Sequence, residues 1–355
     1  MSKFATSDYP ENTAQATQAN EFAELKRLVE GCGLLDKQPA YYTFKILLTL
    51  GTFGLGFALL LILDNFALQL LVAVFLAFAY CQVGFVGHDA GHHAIFRSPR
   101  LNVMAGLVVN LLISLSQTWW VKQHNLHHRY PNDNELDPHV RLPVYAFSQE
   151  AALKKQGLLR FIVGYQAFYF LPFTLLEGLG IRVAGIQYLV QARNVKAFLV
   201  DSSLMVLHFG LYFGLLFYIF SPWQVLAFTL VHQLLFGLYF GLVFAPNHKG
   251  MLIPDKNNPL SYLNNQVLTT HNVKPNPFVD FWYGGLNYQI EHHLFTTMPR
   301  NNFGKARKII KPFCERHGIS YSEAGTLMSF QKILTYLHRV SAPLRSSPAA
   351  AKKAT

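Results

Sequence analysis

The chain has 355 residues, of which 51% are hydrophobic and 14% charged, and its formal net charge is +11 at pH 7. This composition argues against a soluble domain and is typical of a protein that crosses a membrane several times. The three cysteines form no CxxC pair and no disulfide framework, which favours a reducing compartment for the polar parts. We expect the lipid bilayer as a partner and no nucleic acid.

The N-terminal segment is predicted to be a polar tail followed by a short helix. Residues 1–20 are poor in bulky apolar side chains, which is typical of a disordered tail, and they lack the apolar core of a secretory signal. The stretch EFAELKRLVEGCGLL, residues 21–35, has apolar residues at helical spacing. It is expected to form either an amphipathic helix on the membrane surface or a packed N-terminal helix.

Four stretches are long and apolar enough to cross a bilayer, which requires roughly 20 mainly apolar residues. They form two pairs, each separated by only two residues, namely 46–63 with 66–87 and 197–220 with 223–245. Each pair is expected to form a tight hairpin. The sequence therefore predicts an all-α integral membrane protein with four transmembrane helices in two hairpins.

Two further apolar stretches, residues 101–117 and 161–176, are short and are interrupted by polar residues or proline. We expect them to lie in the membrane interface or inside the fold without spanning. The expected domains are a cytoplasmic tail with a short helix (1–40), a membrane domain (41–320) and a cytoplasmic C-terminal tail (321–355).

The distribution of Lys and Arg predicts the orientation in the membrane. Five precede the first span, eleven lie between residues 88 and 196, and fourteen follow residue 245, which accounts for all thirty. Neither short hairpin turn contains one. Because cytoplasmic segments are enriched in Lys and Arg, both termini and the long middle segment are expected in the cytoplasm. A bacterial plasma membrane and the endoplasmic reticulum both remain open.

Three histidine-rich clusters lie on the predicted cytoplasmic side. They are HDAGHH with His88, His92 and His93, QHNLHH with His124, His127 and His128, and QIEHH with Gln289, His292 and His293. On a helix, positions i, i+3 and i+4 share one face, so the spacing within each cluster suits metal binding. Eight imidazoles exceed the four ligands of a tetrahedral zinc ion, so we expect two metal ions.

The residues leave several metals possible, because imidazole binds zinc, copper, iron and nickel. A metal centre at the edge of an apolar helical bundle suggests an apolar substrate that enters from lipid. Cleavage of an unactivated C–H bond needs a strong oxidant, which favours iron with O2 over zinc. Asp89 and Glu291 are expected to hold imidazole N–H groups rather than to bind metal. In the loop after the second cluster, one carboxylate is a candidate for the same role, and His139 is not expected to be a ligand.

These clusters resemble the three histidine boxes of the membrane fatty-acid desaturases, H-x(3,4)-H, H-x(2,3)-H-H and [HQ]-x(2,3)-H-H. The resemblance runs from about residue 40 to about residue 320 in order, spacing and topology. It implies O2-dependent insertion of a cis double bond into a fatty acyl chain at a cytoplasmic cap holding two non-haem iron ions, with water as the other product. The substrate is expected to be an acyl-CoA or an acyl chain of a membrane lipid.

The third box resembles one subgroup in particular. Gln289, with the stretches LNYQIEHHLF and MPRNNF, is similar to the front-end desaturases and the bacterial linoleoyl-CoA-desaturase-like proteins, although Thr296 stands where that subgroup commonly has proline. Front-end members often carry a fused cytochrome b5 domain with an H-P-G-G motif, which does not occur here. We therefore expect a separate electron donor, either cytochrome b5 or a ferredoxin with its reductase.

The resemblance implies one more histidine ligand after the fourth span. His248 in APNHKG is the expected ninth ligand, and His271 in LTTHNV is the alternative ligand or a supporting group. Asn247 is expected to hold a metal-bound water, and Gln289 to form hydrogen bonds at the site.

Two other functions stay open. One is a related histidine-box hydroxylase or ketolase, which the QIEHH and HDAGHH boxes disfavour. The other is a non-catalytic metal-binding membrane protein, which would need ionisable residues along a path through the spans.

Overall fold

The computed structural model describes residues 11–345 except residues 256 and 258, with side chains from residue 20 onward. Predictions for residues 1–10 and 346–355 lie outside the described residues. In chain order the α-helices are α1 (Glu11–Gly31), α2 (Pro39–Ile62), α3 (Phe66–Gly91), α4 (Pro99–Ile113), α5 (Gln117–Arg129), α6 (Gln149–Leu153), α7 (Gly157–Gly164), α8 (Gln166–Phe173), α9 (Glu177–Gln191), α10 (Val195–Ile219), α11 (Pro222–Phe244), α12 (Tyr262–Leu268), α13 (Pro277–Trp282), α14 (Gln289–Leu294), α15 (Phe303–Arg316), α16 (Thr326–Val340) and α17 (Ala342–Arg345).

The remaining regular elements are short. The 3₁₀ helices are Thr174–Leu176, Ala245–Asn247 and Arg300–Asn302. The strands β1 (Asn272–Val273) and β2 (Glu323–Ala324) pair in parallel, with Asn272 opposite Glu323. The fold is thus mostly helical, with one small parallel strand pair that the sequence did not predict.

The helix pairs α2–α3 and α10–α11 lie where the two hairpins were expected, and a short turn joins the helices of each pair. Local sequence starts the second helix of each: the Asn65 side chain accepts a hydrogen bond from the Leu68 N–H (3.2 Å), and Ser221 forms a capping box with Gln224. Helix α3 is largely buried and packs on α2, α4 and α11, whereas α2 and α10 expose most of their apolar side chains. That exposure is expected of helices that face lipid.

By length and composition, the structure has more candidate membrane spans than the four that the sequence predicted. Among the described residues, five helical segments are long and apolar enough to cross a membrane, and the fifth is Gln166–Gln191, which contains α8, a 3₁₀ turn and α9. The pair α4–α5 would be a sixth, but it bends by 114° between its halves. Four spans in two hairpins therefore remain a prediction.

The sharp bend between α4 and α5 directs the second histidine cluster towards the first. Helix α4 ends at Ile113 and is capped by Ser114, which adopts a left-handed conformation (φ 55°). The Asp201 carboxylate of α10 then accepts hydrogen bonds from the Ser116 hydroxyl (2.6 Å) and the Thr118 N–H (2.9 Å) at the start of α5. A span of the second hairpin thus fixes the helix that carries His124, His127 and His128.

Both ends of the described chain pack onto the domain. In α1, Leu25 and Val29 are fully buried in a cluster that also contains Ile290 of α14, so the packed alternative for the N-terminal helix is the one observed. Helix α1 begins at Glu11, so residues 11–20 are helical where the sequence predicted a tail. In α16, Ile333 and Leu337 are buried, so the packed structure extends beyond the boundary expected at residue 320.

Candidate metal centre

The ends of four chain segments bring the buried histidines together. The C-terminal end of α3 supplies the first cluster and α5 the second, His248 follows the 3₁₀ helix Ala245–Asn247 after α11, and α14 supplies the third cluster. The ligand nitrogens form two groups, and within each group they lie within 4.8 Å of one another. The first group contains His88, His92, His124 and His292, and the second contains His127, His248 and His293.

The spacing of the ring nitrogens fits metal coordination. The Nε2 atoms of His88 and His124 are 3.2 Å apart, and those of His127 and His248 are 3.0 Å apart. Two nitrogens bound about 2.1 Å from one ion are separated by about 3.0 Å at a right angle and about 3.4 Å at the tetrahedral angle. The observed separations are those of neighbouring ligands on one ion.

Several of these nitrogens are buried without a hydrogen-bond partner among the described residues. They are His92 Nε2, both ring nitrogens of His292 and His293 Nε2. A buried polar atom without a partner costs about 1–3 kcal/mol, and a bound metal ion would remove that cost. The donor set therefore fits metal ions.

His128 lies between the two groups. Its Nε2 is 3.0 Å from His124 Nε2, and its ring centroid is 4.6 Å from that of His92 and 4.1 Å from that of His293. It can therefore complete either group.

In the second group, a hydrogen bond at the Nδ1 of each imidazole directs its Nε2 towards the other histidines. The Nδ1–H of His127 donates to Asp137 (2.9 Å), that of His248 to the Thr269 carbonyl (3.1 Å) and that of His293 to Gln266 (2.9 Å). Because Nδ1 carries the proton, Nε2 keeps its lone pair for a metal. Burial lowers the pKa of His248 and His293 well below the usual value, so both rings are neutral at pH 7.

In the first group, Asp89 lies beside the Nδ1 of an imidazole, as Asp137 does in the second group. Its Oδ1 is 3.3 Å from His88 Nδ1, and its Oδ2 accepts hydrogen bonds from the Tyr42 hydroxyl (2.8 Å) and from Arg300 Nε. Arg300 also donates to the carbonyls of Phe85 (2.6 Å) and Gly284 (3.2 Å). Burial alone would lower the pKa of Arg300, but the Asp89 carboxylate beside it raises that pKa above its usual value.

His93, an expected ligand, and His271, the alternative to His248, lie outside the two groups. His93 is exposed, has a left-handed backbone (φ 55°) just beyond α3, and its carbonyl accepts a hydrogen bond from Lys37 (2.6 Å). It is five positions from His88, and the helix ends before it, so it cannot share the face of His88 and His92. Both ring nitrogens of His271 are engaged by serine hydroxyls, Nδ1 with Ser322 (2.8 Å) and Nε2 with Ser329 (3.0 Å), which leaves neither for a metal.

Glu291 does not contact an imidazole, contrary to expectation. It accepts hydrogen bonds from Asn272 (2.8 Å) and the Tyr321 hydroxyl (2.7 Å), because on α14 it points away from its neighbours His292 and His293. Burial raises the pKa of Glu291 to about 6, although these two hydrogen bonds oppose the rise. Its role is to join α14 to the segment around β1 and β2.

Asn247 and Gln289 are at the site with free polar atoms. The Gln289 Nε2 is 3.3 Å from His248 Nε2, and its Oε1 has no partner among the described residues. Both polar atoms of the buried Asn247 side chain are likewise unpartnered within that part of the chain. These atoms are available to a water or a ligand at the second group.

Sequence reasoning missed two residues that position the histidines, Gln266 and Arg300. Both come from segments far from the boxes they support, and no spacing rule connects them. Asp137 was one of several candidate carboxylates in its loop, and spacing could not select it, because Asp133 and Glu135 lie nearer to the second box in the sequence.

A largely apolar cavity of about 510 Å³ reaches the centre. His124, His127 and His248 form part of its wall. One part is lined by apolar side chains of the long helices and their ends, such as Trp119, Ile181, Phe240 and Phe244. Its other part is lined by the loop residues Asn134, His139 and Lys249 and by Tyr336 of α16. The cavity could hold a long apolar chain with a polar end near the loops.

Comparisons of this chain with a family profile and with curated proteins indicate the same family. The fatty acid desaturase profile matches residues 65–325. Similar curated proteins include the acyl-lipid (9-3)-desaturase of Physcomitrium patens (29% identical over 90% of this chain and 62% of the relative), and two from Caenorhabditis elegans. These are the Delta(6)-fatty-acid desaturase fat-3 (32% identical, 89% of this chain, 74% of the relative) and the Delta(5) fatty acid desaturase fat-4 (31%, 86% and 71%). The chain spans somewhat under two thirds of the length of the moss relative.

Proposed function

The chain belongs to the fatty acid desaturase family, and on this premise we propose that it inserts a cis double bond into a fatty acyl chain at a non-haem di-iron centre. The observation that carries the proposal is the position of the histidines. Histidines of both groups form part of the wall of a largely apolar cavity of about 510 Å³, which suits an acyl chain.

The two groups of histidines support a proposed ligand set. His88, His92, His124 and His292 would hold one iron ion, and His127, His248 and His293 the other, with His128 between them. Iron held at these positions would activate O2, and O2 is the oxidant for cleavage of the C–H bonds. The acyl chain loses two hydrogen atoms, a donor supplies two electrons with two protons, and O2 leaves as two molecules of water.

The protein itself positions the reactants and excludes water. The apolar part of the cavity would hold the acyl chain extended past the ligands and keep bulk solvent away from the oxidised bond. Asp137, Gln266 and the Thr269 carbonyl fix the orientation of three imidazoles, so that the site is organised before substrate arrives. Asn247 and Gln289 offer polar groups to a water molecule beside the second group.

The partners are part of the proposal. The substrate is an acyl-CoA or an acyl chain of a membrane lipid, and the electrons come one at a time from a small carrier, cytochrome b5 or a ferredoxin with its reductase. The names of the relatives support an acyl substrate, since all three are desaturases of fatty or lipid-bound acyl chains.

Fatty-acid profiling of a host that expresses the chain tests the proposal. Cells fed saturated, oleic and linoleic acids in turn should accumulate a product with one additional double bond. The variant His292→Ala should abolish that product while the protein still inserts into the membrane. A hydroxylated or keto product would favour the related oxygenases, and zinc in the purified protein with no product would favour a non-catalytic metal protein.

A further inference from the structure

The inference concerns Lys249, the residue that follows the histidine of the second group. Lys249 lines the cavity, and its ammonium lies 5.0 Å from the centroid of the Phe147 ring. In the described part of the chain it forms no ion pair or hydrogen bond with another residue. An amine in an apolar cavity without such a partner is poised to bind a ligand.

The charges around Lys249 indicate what it binds. Glu177 on α9 lines the same cavity and is close enough to interact electrostatically with Lys249. Asp137, which is committed to His127 and to the Asn132 N–H (2.9 Å each), also acts on it. With two carboxylates near one ammonium, a doubly charged phosphate is disfavoured. A neutral hydrogen-bond acceptor such as a carbonyl oxygen is suited to this environment.

We propose that the Lys249 ammonium donates a hydrogen bond to the carbonyl oxygen of the acyl ester or thioester and thereby determines which carbon–carbon bond is oxidised. This inference rests on the proposed function. Lys249 and its neighbour His248 both line the cavity, so a ligand held by Lys249 lies in the cavity that reaches the second metal group. The protein then counts carbons from the carbonyl end, and the rest of the chain extends into the apolar part of the cavity.

The first test compares product position in variants. Lys249→Met keeps the length of the side chain without its charge, Lys249→Arg keeps the charge, and Lys305→Met on the exposed face of α15 is the matched control. Loss of a charge-assisted hydrogen bond should lower conversion by about tenfold or more. The double bond in the Lys249→Met product should also spread to neighbouring positions, whereas Lys249→Arg and Lys305→Met should retain a single position. Iron content is measured in every variant, and it should stay at the wild-type level.

A binding measurement on the wild-type protein keeps the inference testable if Lys249→Met does not fold. The fatty acid that is desaturated in the feeding experiment is supplied both as its CoA thioester and as a phospholipid. Each is compared with an analogue that lacks the carbonyl, a thioether of CoA or a dialkyl phospholipid. The carbonyl compound should bind about tenfold more tightly.

The outcomes separate the two proposals. An active wild type that binds both compounds equally, or a Lys249→Met variant with unchanged yield and double-bond position, overturns the role of Lys249 and leaves the desaturase function intact. A wild type that forms no unsaturated product from any acid, with its carrier present, overturns the function and this inference with it.

Discussion

At the scale of single residues, the centre depends on which nitrogen of each imidazole faces inward. A histidine whose Nδ1–H is held by a carboxylate, an amide or a carbonyl presents Nε2 to the metal, and this holds for His127, His248 and His293. His271 shows the opposite case, because serine hydroxyls engage both of its nitrogens. Burial lowers the pKa of His271 to about 4, so it is a neutral packing residue at pH 7.

The adjacent residues His92 and His93 give a sharp test of the ligand assignment. His92 is buried with an unpartnered Nε2, whereas His93 is exposed beyond the end of α3. His92→Ala should therefore abolish desaturation and lower the iron bound per chain, since it removes a ligand. His93→Ala should retain both properties. Metal analysis of the purified variants and fatty-acid profiling of the host check the two expectations.

The two substitutions also control for each other, because they remove the same ring at neighbouring positions. Equal loss of iron from both variants would show that His93 reaches the centre. Retention of iron by His92→Ala would remove it from the ligand set.

At the scale of elements, the Asp89–Arg300 ion pair joins the end of α3 to the 3₁₀ helix Arg300–Asn302. Arg300 reaches Asp89 and also the backbone carbonyl of Phe85 in α3, so it holds both the support of His88 and the end of the helix. Both partners are buried, and removing one partner of a buried pair leaves an uncompensated charge.

We expect Arg300→Met to destabilise the protein by about 3–5 kcal/mol, the range found when one member of a buried ion pair is removed. Arg316→Met at the exposed end of α15 is the control and should have little effect. Thermal unfolding of the purified proteins in detergent measures the difference. If the two variants melt at the same temperature, the ion pair does not hold α3 to this segment.

The local pattern of the sequence predicted the histidines of the site better than it predicted the residues that hold those histidines in place. Helical spacing alone placed His124, His127 and His128 on one face of α5. It did not place His93, which is five positions from His88, and the exposure of His93 depends on where α3 ends, which packing decides. The partners Gln266 and Arg300 escaped prediction because tertiary folding brings them from distant segments, which no local pattern encodes.

At the scale of the whole molecule, contacts between histidines constrain the path of the chain through the membrane. His88 at the end of α3 lies beside His124, and His127 lies beside His248 after α11. These residues must therefore share one side of the bilayer. Between His127 and His248 the chain must cross an even number of times. The hairpin α10–α11 accounts for two crossings, and a further crossing by Gln166–Gln191 would make the number odd.

The flanking charges of Gln166–Gln191 support the same arrangement. Lys154, Lys155 and Arg160 precede this segment, and Arg193 and Lys196 follow it, so both ends carry the charges typical of the cytoplasmic side. Gln166 also donates hydrogen bonds to the carbonyls of Ala146 (2.9 Å) and Leu337 (3.1 Å), which lie in the segments that we expect to be cytoplasmic. We therefore expect this segment to enter the membrane interface without crossing, and both termini to be cytoplasmic.

Cysteine labelling decides between four and five spans. In a Cys32→Ala background, single cysteines are introduced as Lys154→Cys before the segment, Ala192→Cys after it and Asp64→Cys in the first hairpin turn. A membrane-impermeant maleimide applied to intact cells should label only the Asp64→Cys variant. In inverted vesicles it should label the other two, since they face the cytoplasm. Labelling of Lys154→Cys and Ala192→Cys from opposite faces would mean that Gln166–Gln191 crosses the bilayer. That result would place His248 on the far side from His127 and so would contradict the shared metal group as well as the four-span topology.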